Sequence, residues 1–224
     1  MAALRNVWEM GMAGLWDLFQ LLFGANAEKR RIYREMVGCL PGERLLDFGC
    51  ATGITAAAFD DCDYLGVDIN AGSIRWAQYK YRRASNIKFV CGDVRSLGKA
   101  RFHHILCAGT GHHLRDVDLV EIHEIMGSLL VDGGAIHFID TIRTEDDSWV
   151  MKGLIAIDQG RYVRTASEYD KLFGSIESLP IVKRTVTRAD RWFTKPSFLY
   201  LRLVTSREPP AVSAASRFPS TSIT

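Results

Sequence analysis

Between Arg44 and Ile139 short apolar runs alternate with segments of helical period, and this alternation constrains the fold more than any other feature of the chain. Runs at Arg44–Phe48, Asp63–Val67, Ile87–Cys91, Phe102–Ala108 and Ala135–Ile139 read as strands. Ile54–Phe59, Ala71–Ala84 and Val117–Leu130 read as the helices between them. Strands separated by helices make β-α-β units, hence a mainly parallel sheet with both faces covered. After Asp140 the rhythm breaks, and Thr141–Arg164 is polar, charged and aromatic by turns. A helix is expected around Ala166–Phe173. The runs Ile181–Thr187 and Phe198–Thr205, about ten residues apart, suit an antiparallel edge pair.

The flanks differ from this middle. Leu4, Trp8, Met12, Leu15, Phe19 and Leu22 fall on one face of an N-terminal helix, and a more polar helix is predicted over Glu28–Val37, before the breakers Gly38 and Pro41. The stretch from Arg207 is rich in Pro, Ser and Ala and is expected to be disordered. Three parts result: residues 1–40 as N-terminal helices forming a lid or cap, residues 41–206 as the main domain, and residues 207–224 as a tail. No uncharged apolar run reaches the length of about 18 residues that would span a bilayer. The aromatic N-terminal helix carries Glu9 and Asp17 and lacks a cleavage site, so a secretory signal is not expected.

Charge narrows the partners. With 28 Lys+Arg against 26 Asp+Glu the net charge is +2, which leaves no electrostatic footprint for nucleic acid. The five cysteines, Cys39, Cys50, Cys62, Cys91 and Cys107, are odd in number and widely spaced, with no C-x-x-C. They argue against a disulfide framework or a zinc site, read as small core hydrophobes, and suit a reducing cytoplasm.

The motif with the most chemistry is Leu45–Gly53, LLDFGCATG, a strand ending in an acid and followed by a glycine turn. Counted from Gly49, the dinucleotide pattern G-x-G-x-x-G fails, because Ala51 and Ile54 stand at its second and third glycines. Asp47 just before the turn would repel a pyrophosphate and suits a cationic ligand. Asp68, at the end of the second strand, is placed to accept from both ribose hydroxyls. Asp93, after the third strand, is placed to accept from an exocyclic amine. Three acidic strand ends beside a glycine opening describe a site for a nucleoside with a positive appendage.

LLDFGCATG, GVDIN, FVCGDV and LLVDGGAIHFID, in that order and spacing, resemble the successive motifs of class I S-adenosylmethionine-dependent methyltransferases over roughly Arg31–Asp140. The resemblance implies a Rossmann-like doubly wound α/β sheet, mainly parallel with an antiparallel edge pair and helices on both faces, and S-adenosylmethionine as cofactor. By position, Asp47, Gly49, Cys50, Ala51 and Gly53 would form the turn holding the methionine moiety. Asp68 and Ile69 would take the ribose and adenine face, and Asp93 and Val94 the adenine edge. The backbone at Cys107 and Ala108 would pass beneath the sulfonium. Ala51 replaces the family's usual middle glycine, which is tolerable if its φ stays negative. Phe102-His103-His104-Ile105 stands where many members carry an acid, which disfavours a magnesium-dependent mechanism. No D/N-P-P-Y follows the fourth strand, which disfavours amino methylation of adenine or glutamine.

His112 and His113, after the fourth strand, lie where ligands of open α/β sheets collect, and either is a candidate general base; the structural alternative is a cap or packing role. His103 and His104 read as surface or strand-start residues, and His123 and His137 as structural. Gly133-Gly134 reads as a tight turn into the fifth strand. Lys29–Arg34 reads as a solvated helix face, or as a way to bring Tyr33 or an arginine to the cofactor carboxylate. The expected activity is methyl transfer to a small-molecule acceptor, a metabolite, lipid or sugar-linked intermediate, with no metal and no nucleic acid. A non-catalytic S-adenosylmethionine-binding module and a nicotinamide-dependent oxidoreductase are the alternatives. Membrane contact through the N-terminal helix and a monomer or homodimer both remain open.

Overall fold

The structure, a computed structural model, describes residues 26–157, 161–188 and 196–205, together with Gly11 and Gly14. Helix α1 (Asn26–Val37) leads into strand β1 (Arg44–Phe48), followed by β2 (Asp63–Asp68), α2 (Ala71–Lys80), β3 (Ile87–Cys91), β4 (Phe102–Ala108) and α3 (Asp116–Ser128). Strand β5 (Leu130–Ile142), α4 (Trp149–Ile157), α5 (Ala166–Gly174), β6 (Ile181–Arg188) and β7 (Ser197–Val204) complete it. One seven-stranded sheet has the order β3-β2-β1-β4-β5-β7-β6. The first five strands in that order run parallel, and β5–β7 and β7–β6 are antiparallel. Strand order reverses between the parallel neighbours β1 and β4, so their carboxyl ends open the crevice where such sheets bind ligands.

Burial explains the order. Leu46, Ile105, Ile136 and Leu201 face one cluster with α3 and α5, and Leu45, Leu106, Ile139 and Tyr200 face a second beneath α1 and α2. Strand β5 is buried almost throughout from Ala135 to Ile142, as a central strand covered on both faces must be. Edge strand β6 instead exposes Lys183, Arg184 and Arg188, charges that discourage pairing with another chain. Helix α5 starts at a capping box, in which Thr165 and Glu168 each bond the other's backbone N–H.

Several sequence expectations change. The stretch expected as a helix over Ile54–Phe59 is a single 3-10 turn, Thr55–Ala58. Helix α2 ends at Lys80 rather than Ala84, and α3 ends at Ser128, so Leu130 already belongs to β5. Gly133-Gly134 is not a turn ahead of a strand but an irregularity inside β5, where pairing with β4 jumps from Phe102↔Leu130 to His104↔Ala135. Gly133 has φ 78°, and a Cβ on Gly134 would stand 3.0 Å from two carbonyl oxygens, so glycine is needed at both. Helix α4 falls in the stretch that showed no period. The N-terminal helix expected over Leu4–Leu22 lies outside the described residues except Gly11 and Gly14, both helical, and so does the tail from Arg207. Gly14 sits against the Trp76 ring of α2, 3.2 Å from where its Cβ would be. Among the described residues no helix is long and apolar enough to cross a membrane.

Candidate functional site

The glycine turn leaves β1 toward the β1–β4 crevice. Gly49 and Cys50 N–H groups donate to Val67 O at 2.8 and 3.2 Å, which folds the turn across the end of β2. Gly49 has φ 74°, and its Cβ would lie 2.2 Å from Thr110 Oγ1, so no other residue fits. Gly53 has φ 69° and abuts Phe89. Ala51 does not keep a negative φ as anticipated: it stands at φ 45°, the left-handed region, at a cost of about 1–2 kcal/mol. Its N–H donates to Asp68 Oδ2 at 2.9 Å, which offsets part of that strain.

The acidic strand ends differ from one another. Asp47 is not an open anion. It is 2% exposed, accepting from the Thr55 hydroxyl at 2.5 Å and from the Tyr64 hydroxyl. Burial pushes its carboxyl up to about 6, while the two hydroxyl bonds hold it down in part. Asp68 accepts from Ala51 N–H on Oδ2 and from Asn70 N–H at 2.7 Å on Oδ1. Each carboxylate oxygen has two lone pairs, so these bonds still leave capacity for two hydroxyl donors. Ile69 beside it is 79% exposed, an apolar surface unusual for its size. Asp93 caps the 3-10 turn Val94–Leu97 through Arg95 N–H at 2.9 Å, and pairs with the Arg95 guanidinium at 2.7 Å.

The remaining turn and strand positions reach the crevice through their backbone. Val94 (1% exposed), Cys107 (0%) and Cys50 (5%) bury their side chains in the core. Burial holds the Cys50 and Cys107 thiols well above their ordinary range, so they remain protonated packing groups. Ala108 is half-buried.

A second buried carboxylate, which the sequence reading did not single out, organises the other wall. Asp140 on β5 is 1% exposed and accepts from four donors. His112 Nδ1 lies 2.6 Å from Oδ1, with Thr141 N–H at 2.8 Å on the same oxygen. His112 N–H at 2.8 Å and the Tyr169 hydroxyl at 3.1 Å take Oδ2. Gly111 makes the approach possible, since a Cβ there would meet Asp140 Oδ2 at 2.7 Å. Backbone N–H, phenol and imidazole thus converge on one acceptor, which places a ring hydrogen of His112 on Nδ1. His113 is exposed, its ring 4.2 Å from that of His112. Arg164, 5% exposed, holds the loop by bonding Asp116 at 2.6 Å and the carbonyls of Gly111, Leu114 and Tyr162.

Helix α1 packs against the segment after β1. Arg30 donates to Ile54 O at 3.2 Å, and Arg34 pairs with Asp61 at 2.6 Å, so neither is merely solvated. Burial, and then the charges of Asp140 and Asp47, push the Tyr33 phenol up. The other histidines divide. His123 is structural: burial lowers it to about 4, and Nδ1 bonds Leu119 O at 2.7 Å. His103 Nδ1 accepts from Arg44 N–H at 3.0 Å. His104 is not a surface residue, for its ring bridges Glu43 and the buried His137. Burial lowers both imidazoles.

Residues 45–134 match the sequence profile of the methyltransferase domain family. The demethylmenaquinone methyltransferase of Renibacterium salmoninarum is 30% identical over 79 residues, 34% of this chain and 32% of that protein. The chain thus aligns with about a third of the length of that curated relative. Among solved structures, the N-methyltransferase NodS of Bradyrhizobium japonicum, in complex with S-adenosylhomocysteine, is similar at TM-score 0.61 and 19% identity, over 80% of this chain and 87% of that one. A methyltransferase from Geobacter sulfurreducens, also in complex with S-adenosylhomocysteine, gives TM-score 0.60 at 14% identity, over 80% and 90%. At these identities the likeness is one of fold. Profile and fold together bear out the resemblance read from the four motifs.

Proposed function

We propose that this chain, which carries a methyltransferase domain on a class I fold, transfers a methyl group from S-adenosylmethionine to a small-molecule acceptor. The observation that carries the reading is Asp68, held at the end of β2 by two backbone N–H groups with lone pairs left for a diol, next to the exposed face of Ile69. The donor set fits the group: an acceptor for ribose, an apolar shelf for adenine, and a turn at Gly49 with no side chain to block approach. Gly49, Cys50, Ala51 and Gly53 would hold the methionine moiety through the backbone. Asp93 and the Val94 backbone would take the adenine edge, and the Cys107–Ala108 backbone would underlie the sulfonium. Bound S-adenosylmethionine supplies an activated methyl group on a cationic sulfur.

What the protein does is align and exclude water, an effect worth about 7–11 kcal/mol of barrier. Tyr33 and α1 would cover the crevice. His112 Nε2, its tautomer set by Asp140, takes the proton of an acceptor hydroxyl or amine, worth about 10²–10⁴-fold; His113, exposed beside it, is the alternative base. Residues 41–206 would be the catalytic unit and residues 1–40 its lid, acting in the cytoplasm without nucleic acid, as monomer or homodimer. The relative's name mentions demethylmenaquinone, a small molecule, which supports this acceptor class.

The test is calorimetry with S-adenosylmethionine on the full chain and on Asp68→Ala. Affinity should fall at least tenfold with little change in unfolding midpoint. Equal affinity would remove the ribose assignment.

A further inference from the structure

At the rim of the sheet opposite the crevice, where β1 and β4 begin, two residues of the loop before β1 meet one from β4. The Cys39 sulfur, a Glu43 carboxylate oxygen and a His104 ring nitrogen lie within 4.8 Å of one another. Cys39 is 1% exposed, while the His104 and Glu43 side chains keep 16% and 27% of their surface, so the cluster opens to solvent on its carboxylate side. The thiols of Cys39 and the fully buried Cys62 both donate to Leu40 O, at 3.8 and 3.6 Å.

The bonds running inward from this cluster lack a hydrogen. His104 Nε2 faces Glu43 Oε2 at 3.0 Å, and His104 Nδ1 faces His137 Nε2 at 3.1 Å. His137 Nδ1 faces the Tyr200 hydroxyl at 3.0 Å, and that hydroxyl reaches Met36 O at 3.1 Å. Two neutral imidazoles and one phenol bring three hydrogens to four contacts. The Met36 carbonyl can only accept, so Tyr200 donates to it, His137 donates to Tyr200, and His104 donates to His137. The Nε2 lone pair of His104 is then left pointing at a carboxylate that also only accepts. Leu40 N–H already donates to the same Glu43 oxygen at 2.8 Å, and Arg34, the cation alongside, is paired with Asp61 at 2.6 Å. A positive species belongs between Nε2 and Oε2, and the Cys39 sulfur converges on the same point.

We propose that Cys39, Glu43 and His104 bind a divalent transition-metal ion of the zinc class. Sulfur, imidazole and carboxylate are its ordinary ligands; a tetrahedral site with these three and one open position needs donors about 3.5 Å apart, so separations of up to 4.8 Å would contract by up to about 1.3 Å while the 3.0 Å His104–Glu43 pair widens by about 0.5 Å. His137 and Tyr200 orient the metal-binding ring, as the partners behind ligating histidines do. Because the chain of bonds ends on the last turn of α1, the metal fastens α1 and the loop after it to the sheet. This site is independent of the methyl-transfer reading.

The experiment is a cobalt(II) titration of the full chain, stripped with chelator, near neutral pH. One equivalent should produce a sulfur-to-cobalt absorption in the near ultraviolet and tetrahedral bands in the visible, both bleached by zinc. Cys39→Ser should abolish the near-ultraviolet band, and His137→Phe should weaken affinity by about 10–100-fold. Since substitutions at a packed rim can unfold the chain, X-ray absorption at the zinc edge of the unsubstituted protein provides a second reading. It should show sulfur at about 2.3 Å with nitrogen or oxygen at about 2.0–2.1 Å. A shell without sulfur, a cobalt–sulfur band that survives Cys39→Ser, or no saturable binding at one equivalent would overturn the proposal and leave an extra proton as the missing charge.

Discussion

Asp47 at the end of β1 and Asp140 near the end of β5 are buried to almost the same degree, at 2% and 1% exposure, on opposite walls of one crevice. Their donors differ. Asp47 meets two hydroxyls, Thr55 and Tyr64, which can rotate and can accept as well as donate. Asp140 meets two backbone N–H groups, which only donate, besides Tyr169 and His112. Adjustable donors permit a carboxyl to take up a proton, and burial drives Asp47 that way. Fixed donors orient the Asp140 carboxylate, which can then hold an imidazole in one position. Depth alone therefore does not assign a role to a buried acid; the kind of donor does.

The comparison breaks most visibly in turnover. With a methylated acceptor in hand, His112→Ala should lower kcat by about 10²–10⁴-fold, and Asp140→Asn should follow by disturbing the tautomer. S-adenosylmethionine affinity, measured by calorimetry, should stay within about threefold in both. A kcat within fivefold of the parent would make the Asp140–His112 pair structural and return attention to His113.

The pH dependence of stability probes the other wall. A carboxyl whose folded pKa is raised to about 6 binds its proton more tightly in the native state. Its contribution is complete below about 4, the unfolded value, and is lost as pH rises through about 6. The loss amounts to about 1–3 kcal/mol. Asp47→Asn should flatten this part of the denaturant-unfolding profile, and an unchanged slope between those values would contradict the assignment. His123, lowered to about 4 by burial, has the opposite sign, costing stability as pH falls from about 6.5 toward 4. The difference between Asp47→Asn and parent isolates the first effect from the second.

The smallest effect concerns the turn joining Asp47 to Asp68. Ala51→Gly relieves the positive φ but adds freedom to the unfolded chain, so a gain of about 0.5–1 kcal/mol is expected in chemical denaturation. A loss of stability would mean that the Ala51 methyl packs usefully.

The sequence carried β1 to β4 almost to the residue, because each is a short apolar run, but only the middle of β5, which extends from Leu130 to Ile142 through its glycine irregularity. It carried Asp68 and the glycine turn because both belong to a contiguous motif. It did not carry α4, whose apolar residues follow a charged stretch, nor the glycines inside β5, which look like any turn. It also hid side-chain partners that only the fold brings together: His112 and Asp140 are 28 residues apart, and His104 on β4 meets Cys39 and Glu43 of the loop before β1 through the register of the sheet.

The hydrogen bond from Tyr200 to Met36 joins positions 164 residues apart. A growing polypeptide must therefore have reached Tyr200 before this bond to α1 can form, and contacts of such sequence separation close late. Until the seventh strand is threaded beside the fifth, α1 is held only from its Arg30 and Arg34 contacts with the segment after β1. Trimming the chain before Ser197 would remove the tie at the C-terminal turn of α1.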